Sequence, residues 1–172
     1  MNRLILILIV GFSTLFAPEL QAAEILDGIK GRDDRLVMPS GEYPWRAVGR
    51  VNTETGGHCT GVLVGPSLAV TAAHCLYDKR KMWYVPAPQV HFVAGFRNGK
   101  YAAHTTAKNY IIPNGYDEQA KPSRRMAFHD WAFIQLNEAI GYQTGWIGVR
   151  DAFQGKGLDE SFVQAGYSKD SK

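Results

Sequence analysis

The amino-acid sequence predicts an all-β fold, either a barrel or a sandwich, and three observations support that prediction. Short runs of β-branched and aromatic residues recur along the chain, and turn signals that contain Gly or Pro separate them. No window of helical length carries apolar residues spaced three and four apart. The 172 residues are 45% hydrophobic and 20% charged, which is typical of one globular domain.

Six of these runs are predicted to be strands. They cover residues 46–52, 59–64, 68–72, 89–95, 101–112 and 131–136. The fourth run, "QVHFVAG", alternates most clearly and places Val90, Phe92 and Ala94 on one face. The stretch "GYDEQAKPSRRMAF" at residues 115–128 is polar and contains Pro, so we expect an exposed loop there.

The N-terminus has the pattern of a secretory signal peptide. Arg3 precedes an apolar run at residues 4–10, and small residues follow near Ala22. The alternative is a membrane anchor, but the apolar run is shorter than the roughly 20 residues that a membrane-spanning helix needs. We therefore assign residues 1–22 to a signal peptide and residues 23–43 to a polar N-terminal arm or propeptide. The expected product is secreted or periplasmic and is not held in the membrane after signal removal.

The charge of the chain is nearly balanced. It has 19 Lys and Arg residues and 16 Asp and Glu residues, for a formal net charge of +3. These charges are scattered, apart from short clusters such as "DKRK" at residues 78–81. Such a weak and dispersed surplus gives no support for nucleic-acid binding.

The two cysteines, Cys59 and Cys75, predict a disulfide. In an oxidising compartment an even pair of cysteines is more often oxidised than left as free thiols. The bond would close a loop of 16 positions, which the chain-entropy model stabilises by on the order of 3 kcal/mol. A zinc site is the alternative, because His58 and His74 stand beside these cysteines. Neighbouring residues on a strand point to opposite faces, so His58 and Cys59 would not both reach one metal, and we predict no metal site.

The segment around these cysteines, "GHCTGVLVGPSLAVTAAHC", reads as a strand, a tight turn and a second strand that ends in Ala-Ala-His-Cys. It resembles the catalytic-histidine region of trypsin-like serine proteases. The resemblance implies that Cys75 pairs with Cys59 and holds the turn that carries His74. The octapeptide "HDWAFIQL" resembles the second family element, an aspartate that opens an apolar strand. His74 and Asp130 are therefore the predicted catalytic residues, the histidine as general base and the aspartate as its orienting partner.

Four further stretches resemble one branch of the trypsin-like family. The pair "IKGRDDRLV" and "YPWRAVGRV", and the pair "AIGYQTGWIGV" and "SFVQAGYSKD", are similar to the bacterial trypsin-like branch that includes glutamyl endopeptidases. This resemblance implies a trypsin-like double β-barrel, with the first barrel complete at residues 44–140. Residues 141–172 would hold the connection between the barrels and only the start of the second. It also implies removal of a propeptide near Gly28 and Ile29.

The serine that completes a trypsin-like triad is missing from these residues. The family presents it in Gly-Asp-Ser-Gly-Gly, where small residues let two backbone N–H groups form the oxyanion hole. The 172 residues contain no such motif, and Ser168 in "GYSKD" lacks the required neighbours. We therefore expect the nucleophile beyond Lys172, and we expect the 172-residue chain itself to be inactive.

Two hypotheses follow for the function. In the first, the chain is the N-terminal portion of a secreted serine endopeptidase that hydrolyses polypeptides through a His-Asp-Ser triad, without a metal or an organic cofactor. In the second, it is a catalytically inactive protease-like module that binds a protein partner. An in-frame extension that encodes Gly-Asp-Ser-Gly would favour the first hypothesis, and a stop codon with a stable secreted product would favour the second.

Overall fold

Six strands close into an antiparallel β-barrel. The structure is a computed structural model, and it describes residues 33–121, 123–149 and 163–168. In chain order its strands are β1 (Val48–Thr53), β2 (His58–Gly65), β3 (Leu68–Thr71), β4 (Tyr77–Asp78), β5 (Trp83–Tyr84), β6 (Val90–Ala94), β7 (Ala103–Ile111) and β8 (Ala132–Leu136). The order around the barrel is β1-β2-β3-β8-β7-β6, and β4 pairs with β5 in a separate small hairpin.

Helical structure is confined to short turns in the described part of the chain. These are the α-helices α1 (Arg124–Ala127) and α2 (Gly141–Thr144) and the 3-10 turns Trp45–Ala47, Ala73–Leu76 and Ala87–Gln89. Because each is only three or four residues long, the strands dominate. The predicted all-β fold is therefore confirmed.

All six predicted strands are present, and they are the six that close the barrel. The first begins at Val48, because Trp45–Ala47 form a 3-10 turn. The sequence pattern does not predict the β4–β5 hairpin, since strands of two residues are too short to show alternation. Helix α1 lies within the predicted loop, where the Met126 backbone N–H donates to Ser123 Oγ at 3.2 Å.

Apolar side chains from all six barrel strands fill the interior. The predicted inward face of β6 is confirmed, because Val90, Phe92 and Ala94 have no exposed surface. A Cβ atom on Gly49 or Gly61 would lie within 3.0 Å of the Phe92 ring, so these glycines leave the space that the ring occupies. The other core residues are Ala47, Val51, Leu63, Ala69, Leu76, Val85, Ala103, Ala107, Ala132, Ile134, Leu136 and Ile140.

The segment at residues 163–168 lies against the outside of the barrel. The backbone N–H of Tyr167 donates to Thr60 Oγ1 at 2.8 Å, and the Tyr167 hydroxyl donates to the Val48 carbonyl at 3.4 Å. The Tyr167 ring also packs edge-on against Phe96, with 6.3 Å between the ring centroids. The stretch predicted to open a second barrel is thus attached to β1 and β2. The domain boundaries proposed from the sequence stay predictions.

The chain divides into two compact units, Met1–Leu36 and Val37–Lys172, and the barrel belongs to the second. In the first unit, Arg35 forms an ion pair with Asp33 at 2.8 Å. The predicted signal peptide at residues 1–22 lies outside the described residues. Within the described ranges, no helix has both the length and the apolar character needed to cross a membrane.

Candidate active site

His74 and Asp130 are brought to the same edge of the barrel by strand pairing. His74 lies in the 3-10 turn Ala73–Leu76, directly after β3, and Asp130 lies just before β8. Strands β3 and β8 are antiparallel neighbours, with Thr71 opposite Ala132. The end of β3 therefore meets the beginning of β8, and the two predicted site residues become neighbours although 56 positions separate them.

The Asp130 carboxylate accepts two hydrogen bonds from His74. The imidazole Nδ1 lies 2.7 Å from Asp130 Oδ2, and the His74 backbone N–H donates to Asp130 Oδ1 at 3.0 Å. Partial burial raises the pKa of Asp130, but the two hydrogen bonds and the charge of His74 outweigh it. The pKa of this carboxyl therefore lies below its usual value. An ionised acceptor at Nδ1 keeps the proton of the neutral imidazole on that nitrogen, which leaves the lone pair on Nε2.

The far side of the imidazole is open. The His74 side chain is 50% exposed, whereas that of Asp130 is 28% exposed. No hydrogen bond to Nε2 of His74 comes from the part of the chain that the structure describes. A ring that is fixed at Nδ1 and accessible at Nε2 can take a proton from a group placed beside it and return that proton later.

The predicted disulfide is confirmed. Cys59 on β2 is bonded to Cys75 in the His74 turn, with 6.0 Å between their Cα atoms. The His74 turn follows β3, and β2 is the strand that pairs with β3. The disulfide therefore joins the turn to β2. The residue next to His74 is thus covalently anchored to the barrel wall, which restricts movement of the imidazole.

The same residues do not fit a zinc site. Ligand atoms of Cys59, His74 and Cys75 lie within 4.8 Å of one another. A metal-binding cysteine supplies a thiolate, however, and both sulfurs are joined to each other. His74 Nδ1 is already hydrogen-bonded to Asp130, and Nε2 of His58 lies 3.4 Å from the Ser168 carbonyl oxygen. The four side chains of the zinc alternative therefore do not form a common ligand set.

Ser168 lies beside His58 at the start of β2. Its carbonyl oxygen is the atom 3.4 Å from His58 Nε2, and its neighbour Tyr167 is bonded to Thr60. Within the described ranges, the hydrogen bond of the His74 side chain goes to Asp130 and not to Ser168. This arrangement agrees with the sequence, in which Gly166 precedes Ser168 by two residues but Lys169 stands where the trypsin-like motif has glycine.

The structure adds interacting residues on the segments that carry His74 and Asp130, and sequence reasoning missed them. The stretch at 115–128 is exposed over most of its length, as predicted, but the side chain of Glu118 is only 8% exposed. Glu118 accepts a hydrogen bond from the Tyr116 hydroxyl and forms an ion pair with Lys79 at 2.9 Å. Polarity alone predicts an exposed side chain here, because the sequence carries no signal that a tyrosine and a lysine will cover this carboxylate.

Comparisons with known proteins give further information. The family model described as Trypsin matches residues 36–171. Glutamyl endopeptidase of Bacillus licheniformis is 30% identical over 126 residues, which cover 72% of this chain and 37% of that protein. A Bacillus subtilis protein named extracellular metalloprotease is 30% identical over 131 residues, which cover 71% of this chain and 39% of that protein.

A solved structure of a Glu endopeptidase in complex with MPD has the same fold. It aligns with a TM-score of 0.55 and 21% identity, over 66% of this chain and 50% of that chain. The chain spans less than two fifths of the length of both curated relatives, 37% and 39%. Because the family model matches most of this chain, the chain belongs to the trypsin family of serine proteases, on the branch that resembles glutamyl endopeptidases.

Proposed function

We propose that this chain supplies the histidine and the aspartate of a secreted serine endopeptidase. The observation that carries the proposal is the doubly hydrogen-bonded pair, in which Asp130 holds His74 at Nδ1 and leaves Nε2 open. Membership of the trypsin family supports it, because that family uses a histidine and an aspartate in these roles. The serine would come from residues that follow Lys172.

In the proposed mechanism His74 acts first as base and then as acid. Nε2 takes the proton of the serine hydroxyl while the serine oxygen attacks the peptide carbonyl carbon. The resulting imidazolium is stabilised by the Asp130 carboxylate, which stays ionised because its pKa lies below the usual value. His74 then donates this proton to the leaving amine, and the acyl-enzyme forms. A water molecule, deprotonated by the same nitrogen, hydrolyses the acyl-enzyme and restores the serine.

The proposed substrate is a polypeptide, and the proposed site of action is outside the cytoplasm. The first follows from the protease family, and the second is supported by the disulfide, which persists in oxidising compartments. One relative is itself named extracellular. The chemistry assigned to His74 and Asp130 needs only proton transfer, so no cofactor is part of the proposal.

The test uses the gene in its natural reading frame, so that the secreted product includes whatever follows codon 172. We expect it to hydrolyse peptides and to react with a serine-directed fluorophosphonate. The variant His74→Ala should lower kcat by roughly 10⁴- to 10⁶-fold, because it removes the base that activates the serine. The matched control His104→Ala, an exposed histidine on β7, should keep wild-type activity.

Two results would contradict the proposal. A secreted product that neither hydrolyses peptides nor reacts with the probe would leave the protein-binding module as the better hypothesis. Labelling of the 172-residue chain alone, if abolished by Ser168→Ala, would place the nucleophile within these residues instead of after them.

A further inference from the structure

The two segments that carry His74 and Asp130 meet a second time, outside the pair itself. One is the β4–β5 hairpin, which follows the His74 turn, and the other is the loop that leads to Asp130. Lys79 Nζ of the hairpin lies 2.9 Å from Glu118 Oε1 of the loop. Gln119 Nε2 of the loop also donates to the Tyr77 hydroxyl at 3.4 Å. The hairpin and the loop are therefore connected independently of the His74–Asp130 hydrogen bonds.

Glu118 is the centre of this connection. Its side chain is only 8% exposed, and a carboxylate so far removed from water is destabilising unless it is paired and hydrogen-bonded. Lys79 supplies the charge, and the Tyr116 hydroxyl supplies the hydrogen bond. We call these three residues, Tyr116, Glu118 and Lys79, the clasp.

The two interactions of Glu118 in the clasp differ in strength. The Lys79 side chain is 76% exposed, so water screens its ion pair, and exposed pairs of this kind contribute little. The bond from Tyr116 to the Glu118 carboxylate lies within the loop and is charge-assisted, and its acceptor is largely removed from water. It therefore fixes the conformation of the loop more firmly than Lys79 fixes the loop to the hairpin. We therefore expect the clasp to depend mainly on Tyr116 and Glu118.

The clasp lies within electrostatic reach of the site. Burial raises the pKa of Tyr116 first, the hydrogen bond to Glu118 adds to it, and the charge of Asp130 raises it further. The pKa of Tyr84 on the hairpin is likewise raised by burial and then by the charges of Glu118 and Asp130. Packing gives the same placement, because a Cβ atom on Gly115 would lie 3.2 Å from the His129 ring. The residue before Tyr116 therefore lies against the residue before Asp130.

We propose that Tyr116 and Glu118, assisted by Lys79, are positioning residues that fix the conformation of the loop that carries Asp130 and so keep the His74–Asp130 hydrogen bond closed. The first part of the proposal, that these residues keep the His74–Asp130 hydrogen bond closed, does not depend on enzymatic activity. Its catalytic consequence rests on the proposed function. A base displaced by a fraction of an ångström loses much of its efficiency, so a device that fixes Asp130 would act on kcat and not on folding alone.

The test is NMR spectroscopy of the secreted product of the natural reading frame, with the exchange rate of the His74 Nδ1 proton as readout. Glu118→Ala should speed this exchange about tenfold, because the loop opens locally more often. Tyr116→Phe removes one hydroxyl and should produce a smaller change in the same direction. Glu118→Gln keeps an acceptor for Tyr116 and should restore most of the protection, and Lys79→Met should stay near the wild type.

The control is Glu138→Ala, which removes an exposed carboxylate after β8 and should leave the exchange rate unchanged. Backbone amides of β6 report global opening in the same samples. If exchange at β6 rises as much as exchange at His74, the clasp is merely structural and the proposal is wrong. Wild-type exchange in both Glu118→Ala and Tyr116→Phe would also refute it, whether or not the secreted product proves to be a protease.

Discussion

His74 and Asp130 meet at one edge of the barrel, but the chain holds them there in different ways. His74 lies directly after β3 in a turn whose next residue, Cys75, is bonded to Cys59 on β2. Asp130 follows a long stretch after β7, in which the described residues form one four-residue helix and otherwise irregular backbone. The histidine is held by a covalent bond, and the aspartate is held by hydrogen bonds and one ion pair.

The interactions that hold His74 and those that hold Asp130 contribute different amounts to the free energy of unfolding. A disulfide that closes a short loop contributes on the order of 3 kcal/mol, whereas single hydrogen bonds and caps contribute about 1 kcal/mol or less. The His74 side should therefore respond strongly to one chemical change. The Asp130 side should respond weakly to each of several changes, since its position is shared among many contacts.

Removal of the disulfide should have the largest effect. Replacing Cys59 and Cys75 together by alanine should lower the free energy of unfolding by about 3 kcal/mol, because the unfolded chain regains the entropy of a loop of 16 positions. Urea unfolding measures the loss. A reducing agent should destabilise the wild type to the same extent and leave the double variant unaffected. A loss well below 1 kcal/mol would contradict this expectation and would mean that the unfolded chain keeps the two cysteine positions close without the bond.

Asp130→Asn should have an intermediate and pH-dependent effect. The pKa of Asp130 is lowered in the folded protein, so its carboxylate stabilises the fold above the pKa of an unfolded aspartate. That stabilisation disappears as the pH falls through the folded pKa. At neutral pH the variant should lose about 1 kcal/mol through the weakened hydrogen bonds, and the difference from the wild type should shrink in acid.

Urea unfolding at a series of pH values measures this difference. Glu138→Gln, a change at an exposed carboxylate, should show no such pH-dependent gap. A gap between Asp130→Asn and the wild type that stays constant or widens in acid would contradict the assigned direction of the pKa shift.

Ser123→Ala should have the smallest effect. It removes the side-chain oxygen that accepts the Met126 N–H at the start of α1, and loss of such a cap lowers stability by about 0.5 kcal/mol in a marginal helix. Thermal unfolding measures it, and Ser123→Asn, which keeps an acceptor, should remain near the wild type. A loss comparable to that of the disulfide would show that α1, and not a set of shared contacts, fixes the Asp130 loop.

Much of the barrel could be predicted because its signals are local. Alternation along "QVHFVAG" predicts the buried face of β6, and the turn at residues 65–67 separates β2 from β3. The strand ends were less predictable. Trp45–Ala47 form a 3-10 turn, in which the Ala47 N–H donates to the Pro44 carbonyl at 3.0 Å, and no alternation marks where the turn ends and β1 begins. The β4–β5 hairpin carries no periodicity at all, because each strand has only two residues.

The sequence by itself determined the six barrel strands and the pair of His74 and Asp130, because each is marked by a short motif. It also determined the disulfide, because the chain has only two cysteines. Only the tertiary structure decided how His74 and Asp130 are supported. Strand pairing set the 2.7 Å contact, and the approach of a distant segment placed Lys79 beside the largely buried carboxylate of Glu118. The physical reason is that burial of a polar side chain depends on partners brought from elsewhere in the chain, which no local pattern specifies.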